Sequence, residues 1–145
     1  MSGGSEERVV KALTVRQPWA TDIVQGCKTI ETRSRRTHHR GPLAIHAAAS
    51  PDRGFTPEEL ADRPLGALVG MVQVVDCRPL VPADAEDAFR LELTEEECEG
   101  MWAWVLAKPG ELIEPIPMKG KLSLWNVPPG AAAVIMQLYE EFLAV

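Results

Sequence analysis

Short apolar runs with alternating or β-branched residues make up most of the hydrophobic pattern, and each of them predicts a strand. These runs cover residues 9–15, 43–47, 65–77, 101–106 and 122–127, and a basic strand follows the glycine at position 26. A turn is predicted at 108–111, and residues 112–116 follow it. Pro115 and Pro117 confine this piece to an edge or extended stretch, because proline cannot donate to a strand ladder. Gly66 and Gly70 fall in the longest run and predict bulges or the sharp curvature that a small closed barrel needs.

Helix signals separate the strands. Pro18 suits a first helical position and Gly26 supplies a left-handed stop, so a helix is predicted between them. A second, short helix is predicted from Thr56 in a proline-rich loop, and one or two more in the acidic stretch 83–100, where Thr94 and Glu97 match a capping box. Residues 131–143 predict a terminal helix with a broad apolar side, made of Ile135, Leu138, Tyr139, Phe142 and Leu143.

The chain of 145 residues has the length and the 46% apolar content of one domain. We expect a flexible N-terminus at 1–8, the main domain at 9–130, and the terminal helix at 131–145. The helix either packs on the domain or meets its counterpart in a homodimer, and the pattern leaves both open. The absence of a long apolar run or signal peptide predicts a cytoplasmic protein with no membrane partner.

Charge is distributed unevenly along the chain. The net charge is −6, yet the segment 84–99 holds eight acids and one base, which leaves 14 bases against 13 acids elsewhere. A basic patch between Lys28 and Arg40 contains only one acid, Glu31. A polarised molecule of this kind can orient towards phosphates, although two merely solvated faces would give the same charge pattern.

Metal and cofactor motifs are missing from the sequence. His38, His39 and His46 and the three cysteines lack the spacing of a closed metal site. No glycine-rich phosphate loop or nucleophile elbow occurs either. We therefore expect no cofactor and no structural metal.

The basic patch contains the motif that identifies a family. Gly26, Lys28, Glu31 and Arg33 form a G-x-K-x-x-E-x-R pattern, which follows Val-Arg-Gln-Pro-Trp-Ala at 15–20. This pattern resembles the ASCH domain family of the PUA-like superfamily, and the resemblance continues at 41–46, 114–117 and 120–127. It implies a mixed α+β fold built on a small curved β-barrel of about five to six strands, with flanking helices and a cleft for RNA or a nucleotide.

The motif also makes a geometric demand. On a regular strand Glu31 and Arg33 would face one way and Lys28 the other. Lys28 and Glu31 can converge on one site only if the backbone at 26–29 forms a turn or bulge, and the resemblance implies that they converge.

Candidate site residues combine this motif with its surroundings. Lys28 and Glu31 are the candidate catalytic pair, since an ammonium beside a carboxylate can move protons. Arg33 offers a planar fork to phosphate, and Arg16 and Gln17 lie at a strand-to-helix junction suited to anions. The predicted nucleic-acid-binding residues are Arg16, Gln17, Trp19, Lys28, Glu31, Arg33, Arg35, Arg36, Lys121 and Ser123.

Three functions remain open at this point. The favoured one is a module that binds single-stranded RNA or a nucleotide in the basic cleft. The resemblance also allows a metal-independent ribonuclease, and less readily an acetylated-nucleoside amidohydrolase, because that branch has Thr where this chain has Glu31. The third is a protein-interaction or coactivator-like module that uses the acidic stretch and the terminal helix.

Overall fold

The computed structural model describes residues 8–145, and the predicted flexible terminus therefore lies, except for Arg8, outside the described residues. Six strands form one sheet in the order β2-β5-β4-β3-β1-β6. They are β1 Lys11–Val15, β2 Ile30–Arg33, β3 Gly41–Ala47, β4 Ala67–Pro79, β5 Trp102–Pro117 and β6 Leu124–Asn126. Neighbouring strands run antiparallel except β1 and β3, which are parallel.

The sheet curls strongly, because its long central strands are irregularly paired. The register between β4 and β5 shifts at three places, the first between Leu68 and Gly70, and the register between β3 and β4 shifts at Ile45/His46. Such bulges bend a strand and increase its twist. The curled six-stranded sheet confirms the predicted mixed α+β fold with a small curved barrel.

One strand differs from its prediction. Residues 102–117 form the single strand β5 with no break at the predicted turn 108–111. Lys108 adopts a φ of 50°, so the irregularity that the glycine and proline signalled is absorbed as a bulge against β4, the other long strand. Pro115 and Pro117 lie in the part of β5 that pairs only with β4. Among the described residues, the other side of β5 has no partner strand there, and such an edge tolerates residues without a backbone N–H.

Helices cover the sheet on both sides. The first is α1, Trp19–Val24, the second is α2, Glu95–Cys98, and the third is α3, Pro129–Ala144. The predicted capping box at Thr94 and Glu97 is present at α2. The proline-rich loop forms only turns where a short helix was expected, although Thr56 and Glu59 do exchange capping hydrogen bonds. No helix in residues 8–145 has the length and apolar character needed to cross a bilayer.

The terminal helix α3 packs on the sheet. Ala132, Ile135, Met136 and Tyr139 are buried in a cluster with residues of β1, β3 and β4, and the Tyr139 hydroxyl donates to the Lys108 carbonyl over 2.6 Å. The apolar side predicted from the sequence is only partly covered, since Leu138, Phe142 and Leu143 remain 40–55% exposed. Packing on the domain is thus observed, and dimerisation through this helix stays a prediction.

The docking of α1 on the sheet depends on Gly70. A Cβ at this position would lie 2.7 Å from Val24 Cγ1 and would also clash with the Gly110 carbonyl oxygen. Only glycine therefore permits the close approach of α1, β4 and β5. Because the turn that follows α1 carries the motif lysine, this close contact helps to set the position of the site.

We predict that Gly70→Ala lowers the free energy of unfolding by roughly 1–3 kcal/mol, the usual penalty for overpacking a filled interior. Urea unfolding of both proteins measures the difference. Gly130→Ala is the matched control, since a Cβ there meets nothing within 4 Å. Equal stability of the two variants would contradict a tight packing contact at Gly70.

Candidate nucleic-acid-binding cleft

A turn after α1 gives Lys28 its position. Gly26 has a φ of 84°, and the backbone amides of Cys27 and Lys28 both donate to the Asp22 carbonyl over 2.9 and 3.1 Å. The Thr29 and Ile30 amides then donate to the carbonyl of Asp87, over 2.8 and 2.9 Å, at the start of β2. Lys28 consequently stands outside the strand alternation, as the convergence of the motif requires.

The three charged motif residues meet at one place. Lys28 Nζ lies 3.7 Å from Glu31 Oε1, and Arg33 Nε donates to Glu31 Oε2 over 2.9 Å. Arg33 Nη2 also donates to the Thr14 carbonyl over 3.0 Å. The guanidinium therefore bridges β2, at one edge of the sheet, and the end of β1 near the other edge.

Burial sets the chemistry of Lys28. The residue is 5% exposed, and burial lowers the pKa of its ammonium, while the nearby Glu31 carboxylate counteracts part of this effect. Its Nζ donates to the Ala88 carbonyl over 2.8 Å and lies 5.9 Å from the centre of the Trp19 ring. An ammonium carries three donors, so a further hydrogen bond to a ligand remains open to it.

Two adjoining cavities lie along the motif and share Arg33 and Ser34. The larger, about 570 Å³, is lined among others by Arg16, Trp19, Lys28, Glu31, Asp52 and Arg90. The smaller, about 410 Å³, has Leu13, Trp104 and Leu124 beneath Arg35, Arg36 and Ser123. Together they form one cleft between β2 and the β1–β6 side of the sheet, which we call the motif cleft.

Most predicted site residues line the motif cleft, but two do not. Arg16, Trp19, Lys28, Glu31 and Arg33 line the larger cavity, and Arg33, Arg35, Arg36 and Ser123 line the smaller one. Lys121 is exposed but lines neither cavity.

Gln17 corrects the sequence prediction. It is fully buried, and its side chain bonds to the Thr21 backbone and hydroxyl and to the Pro64 carbonyl. These bonds hold the start of α1 against the loop before β4. Gln17 supports the start of α1 and lines neither cavity of the motif cleft.

Sequence reasoning missed several lining residues. Asp52 accepts from the Trp19 indole over 2.8 Å and fixes that ring, and Ala88 supplies the carbonyl for Lys28. Arg90 also lines the larger cavity, although it lies in the acidic segment. No local pattern marks these positions, because long loops bring them to the cleft.

A chain of partly buried hydrogen bonds connects β1, β3 and β6. The Trp125 indole donates to Thr14 Oγ1 over 3.1 Å, Thr14 Oγ1 lies 3.2 Å from His46 Nδ1, and His46 Nε2 lies 2.7 Å from the Met118 carbonyl. Since a carbonyl only accepts, Nε2 carries the proton and Nδ1 accepts from Thr14. Burial lowers the pKa of His46, which favours this neutral form.

In the described part of the chain, no group of three or more His, Cys, Asp or Glu residues is placed so that it could hold a metal ion. His46, the one buried histidine of residues 8–145, has both ring nitrogens engaged with protein groups.

Comparison with known proteins connects this geometry to a family. A family model described as "ASCH domain" matches residues 13–117. The chain is 31% identical over 132 residues to human "Activating signal cointegrator 1" and 30% identical to the mouse protein. Each match covers 79% of this chain but 22% of the relative, so the chain spans about a fifth of those proteins.

A solved structure shares the fold. The crystal structure of ASCH from Zymomonas mobilis aligns with a TM-score of 0.63 and 18% identity, over 88% of this chain and 94% of that chain. A structure of a mutant form of the same protein aligns with a TM-score of 0.61 and 16% identity, over 90% of this chain and 99% of that chain. At these identities the likeness concerns the fold.

We predict that Glu31→Gln lowers the pKa of Lys28 further, because the variant keeps the burial and removes the carboxylate that favours the ammonium. NMR titration of the Lys28 side chain checks this in both proteins. The wild-type amine is expected to lose its proton below the ordinary value of 10.5, and the variant at a lower pH still. Glu111→Gln, an exposed acid on β5, is the control. An unchanged Lys28 pKa in Glu31→Gln would contradict the described pairing.

Proposed function

Because the chain belongs to the ASCH domain family, we propose that its motif cleft binds single-stranded RNA or a nucleotide. One observation carries the proposal: Lys28, Glu31 and Arg33 converge on a cleft open to a ligand. An isolated surface ion pair would not need two buried partners or the special turn at Gly26.

The charge of the motif cleft supports an anionic ligand. Its two cavities are lined by six cationic residues, Arg16, Lys28, Arg33, Arg35, Arg36 and Arg90, and by two acids, Glu31 and Asp52. The whole chain carries a net charge of −6, so this concentration of positive charge is local. Local fields of this kind attract phosphates even in an acidic protein.

The two cavities suit different parts of a nucleotide. Arg33 lies where the cavities join, Lys28 lines the larger one, and their charged donors suit a phosphate. The smaller cavity has an apolar floor of Leu13, Trp104 and Leu124, and its rim of guanidinium groups can stack on a base. The larger cavity, about 570 Å³, lies within the volume range of small-ligand sites.

The comparisons also support a broader description of the chain as a coactivator-type module. The relatives named "Activating signal cointegrator 1" share this domain over about a fifth of their length. We infer that a protein partner, if this chain has one, meets a surface other than the motif cleft, such as the half-exposed residues of α3. Ligand binding in the cleft and partner binding are compatible.

RNA cleavage without metal is a second candidate, favoured by the lowered pKa of Lys28 beside Glu31 in a cleft. The pair could protonate and deprotonate groups around a phosphodiester. Both carboxylate oxygens of Glu31 already have cationic partners, which favours a positioning role for this residue. Incubation of RNA with excess chelator separates the candidates, since a binding module leaves the RNA intact.

We predict that Lys28→Met weakens the binding of a fluorescent single-stranded RNA by about tenfold or more, the scale of a lost hydrogen bond to a charged group. Fluorescence anisotropy measures the affinity. Arg35→Gln, which removes an exposed charge of the smaller cavity, reduces the salt dependence of log K by about 0.7 if it contacts one phosphate.

Lys108→Asn serves as the control for both variants. It removes a positive charge outside the motif cleft, and Asn tolerates the left-handed backbone of that position. Thermal unfolding verifies that every variant is folded. Equal losses in Lys108→Asn and Lys28→Met, or no wild-type binding at low salt, would refute the proposed cleft function.

A further inference from the structure

A third cavity opens beside the motif cleft. It measures about 590 Å³ and is lined by Trp19, Phe89, Arg90, Leu91, Glu92 and Glu97. Trp19 and Arg90 also line the larger cavity of the motif cleft. The two spaces therefore adjoin at these residues, with the indole of Trp19 facing both.

Trp19 is held rigidly at this junction. Its indole nitrogen donates to Asp52 over 2.8 Å, and its ring meets Phe55 edge-on at 6.0 Å between centroids. A fixed aromatic ring loses little conformational freedom when a ligand packs on it. Trp19 thus offers a ready surface next to the phosphate-binding groups.

Phe89 has an unusual backbone for its residue type. The Phe89 amide donates to the Glu86 carbonyl and the Arg90 amide to the Ala85 carbonyl, which is the Schellman pattern at the end of a helical turn. Phe89 occupies the left-handed position of that pattern, with a φ of 59°, where glycine is usual. A bulky residue rarely adopts this conformation, because it is strained there.

Burial does not explain why phenylalanine occupies this position. Phe89 is 49% exposed, and it belongs to none of the buried clusters in the described chain. The turn itself is anchored, since Ala88 accepts from Lys28 and Asp84 pairs with Arg78 through two bonds of 2.8 Å. The fold therefore fixes the backbone that carries this exposed phenyl ring beside the motif cleft.

The charges of the third cavity select the part of a nucleotide that fits. Glu92 and Glu97 line it, and Arg90 is paired with Glu97 over 3.1 Å, so a phosphate would be repelled. A nucleobase is neutral and stacks on aromatic rings. Its edge N–H groups can donate to carboxylates of this kind.

From these observations we propose that the third cavity is a second nucleobase subsite, in which Phe89 and Trp19 stack the base next to the nucleotide held in the motif cleft. The inference rests on the proposed function of that cleft. It assigns the protein a ligand of at least two linked nucleotides, and it makes Phe89 a determinant of ligand length.

The test compares cytidine 5′-monophosphate with the 5′-phosphorylated dinucleotide pCpC by NMR-detected titration. The wild type is expected to bind pCpC about 5- to 150-fold more tightly, the range for stacking one base. Phe89→Leu keeps an apolar side chain but lacks a ring, and it should lose this advantage while its affinity for the mononucleotide stays within about twofold. Phe89→Trp should keep the advantage.

Phe142→Leu, which changes an exposed phenyl ring on α3, is the matched control and should behave as the wild type. Retention of the full dinucleotide advantage in Phe89→Leu would overturn the subsite alone. Equal weakening of both ligands by Phe89→Leu would also overturn it, since Phe89 would then act only by anchoring the turn at Lys28. Failure of the wild type to bind either ligand would instead overturn the proposed function, and the subsite with it.

Discussion

The hydrogen bonds of Arg33 connect the two sides of the curled sheet. One guanidinium binds the Glu31 carboxylate on its own strand and the Thr14 carbonyl at the end of β1. The sheet order places β2 at one edge and β1 beside the other edge, so these bonds span the opening of the curl. The motif cleft is the space on either side of this bridge, and its two cavities share Arg33 for that reason.

Lys28 lies in an environment that disfavours its charge. Burying an ammonium is unfavourable, and burial lowers its pKa even beside a carboxylate. The fold retains this group by means of the Ala88 carbonyl, Glu31 and a turn fixed by two main-chain carbonyls. A structural role alone would be served as well by apolar side chains of similar volume. The proposed ligand binding would give a reason for the buried charge.

The acidic segment acquires a different meaning in the structure. In the sequence it opposes the basic patch, and the charge pattern fits either an electrostatic role for the whole segment or a merely solvated face. Its first part instead forms a turn that supplies main-chain acceptors to Lys28, Thr29 and Ile30. This turn also carries Arg90 to the motif cleft and Phe89 to the third cavity beside it. The backbone of this segment thus matters more to the site than most of its charges.

Local signals and the family resemblance contributed different parts of this arrangement. Gly26 predicted the end of the first helix, and strand alternation showed that Lys28 and Glu31 could meet only through a turn or bulge at 26–29. That they do meet was implied by the resemblance of the motif to the ASCH domain family. Gln17 could not be assigned correctly, since its burial depends on the distant Pro64 loop. The continuity of β5 depends on pairing with β4, which outweighs local turn signals at Lys108 and Gly110. The left-handed conformation of Phe89 could not be predicted, because glycine is the residue that usually marks such a position.

Chemical-shift mapping tests the central claim most directly. A short single-stranded RNA is titrated into the isotope-labelled protein, and amide and indole NMR signals are followed. Binding in the motif cleft predicts that the perturbed signals cluster at residues 28–36 and 88–90 and at the indoles of Trp19 and Trp104, while the outer face of α3 is unchanged. Perturbations concentrated on α3, or signals that do not move at low salt, would contradict the account.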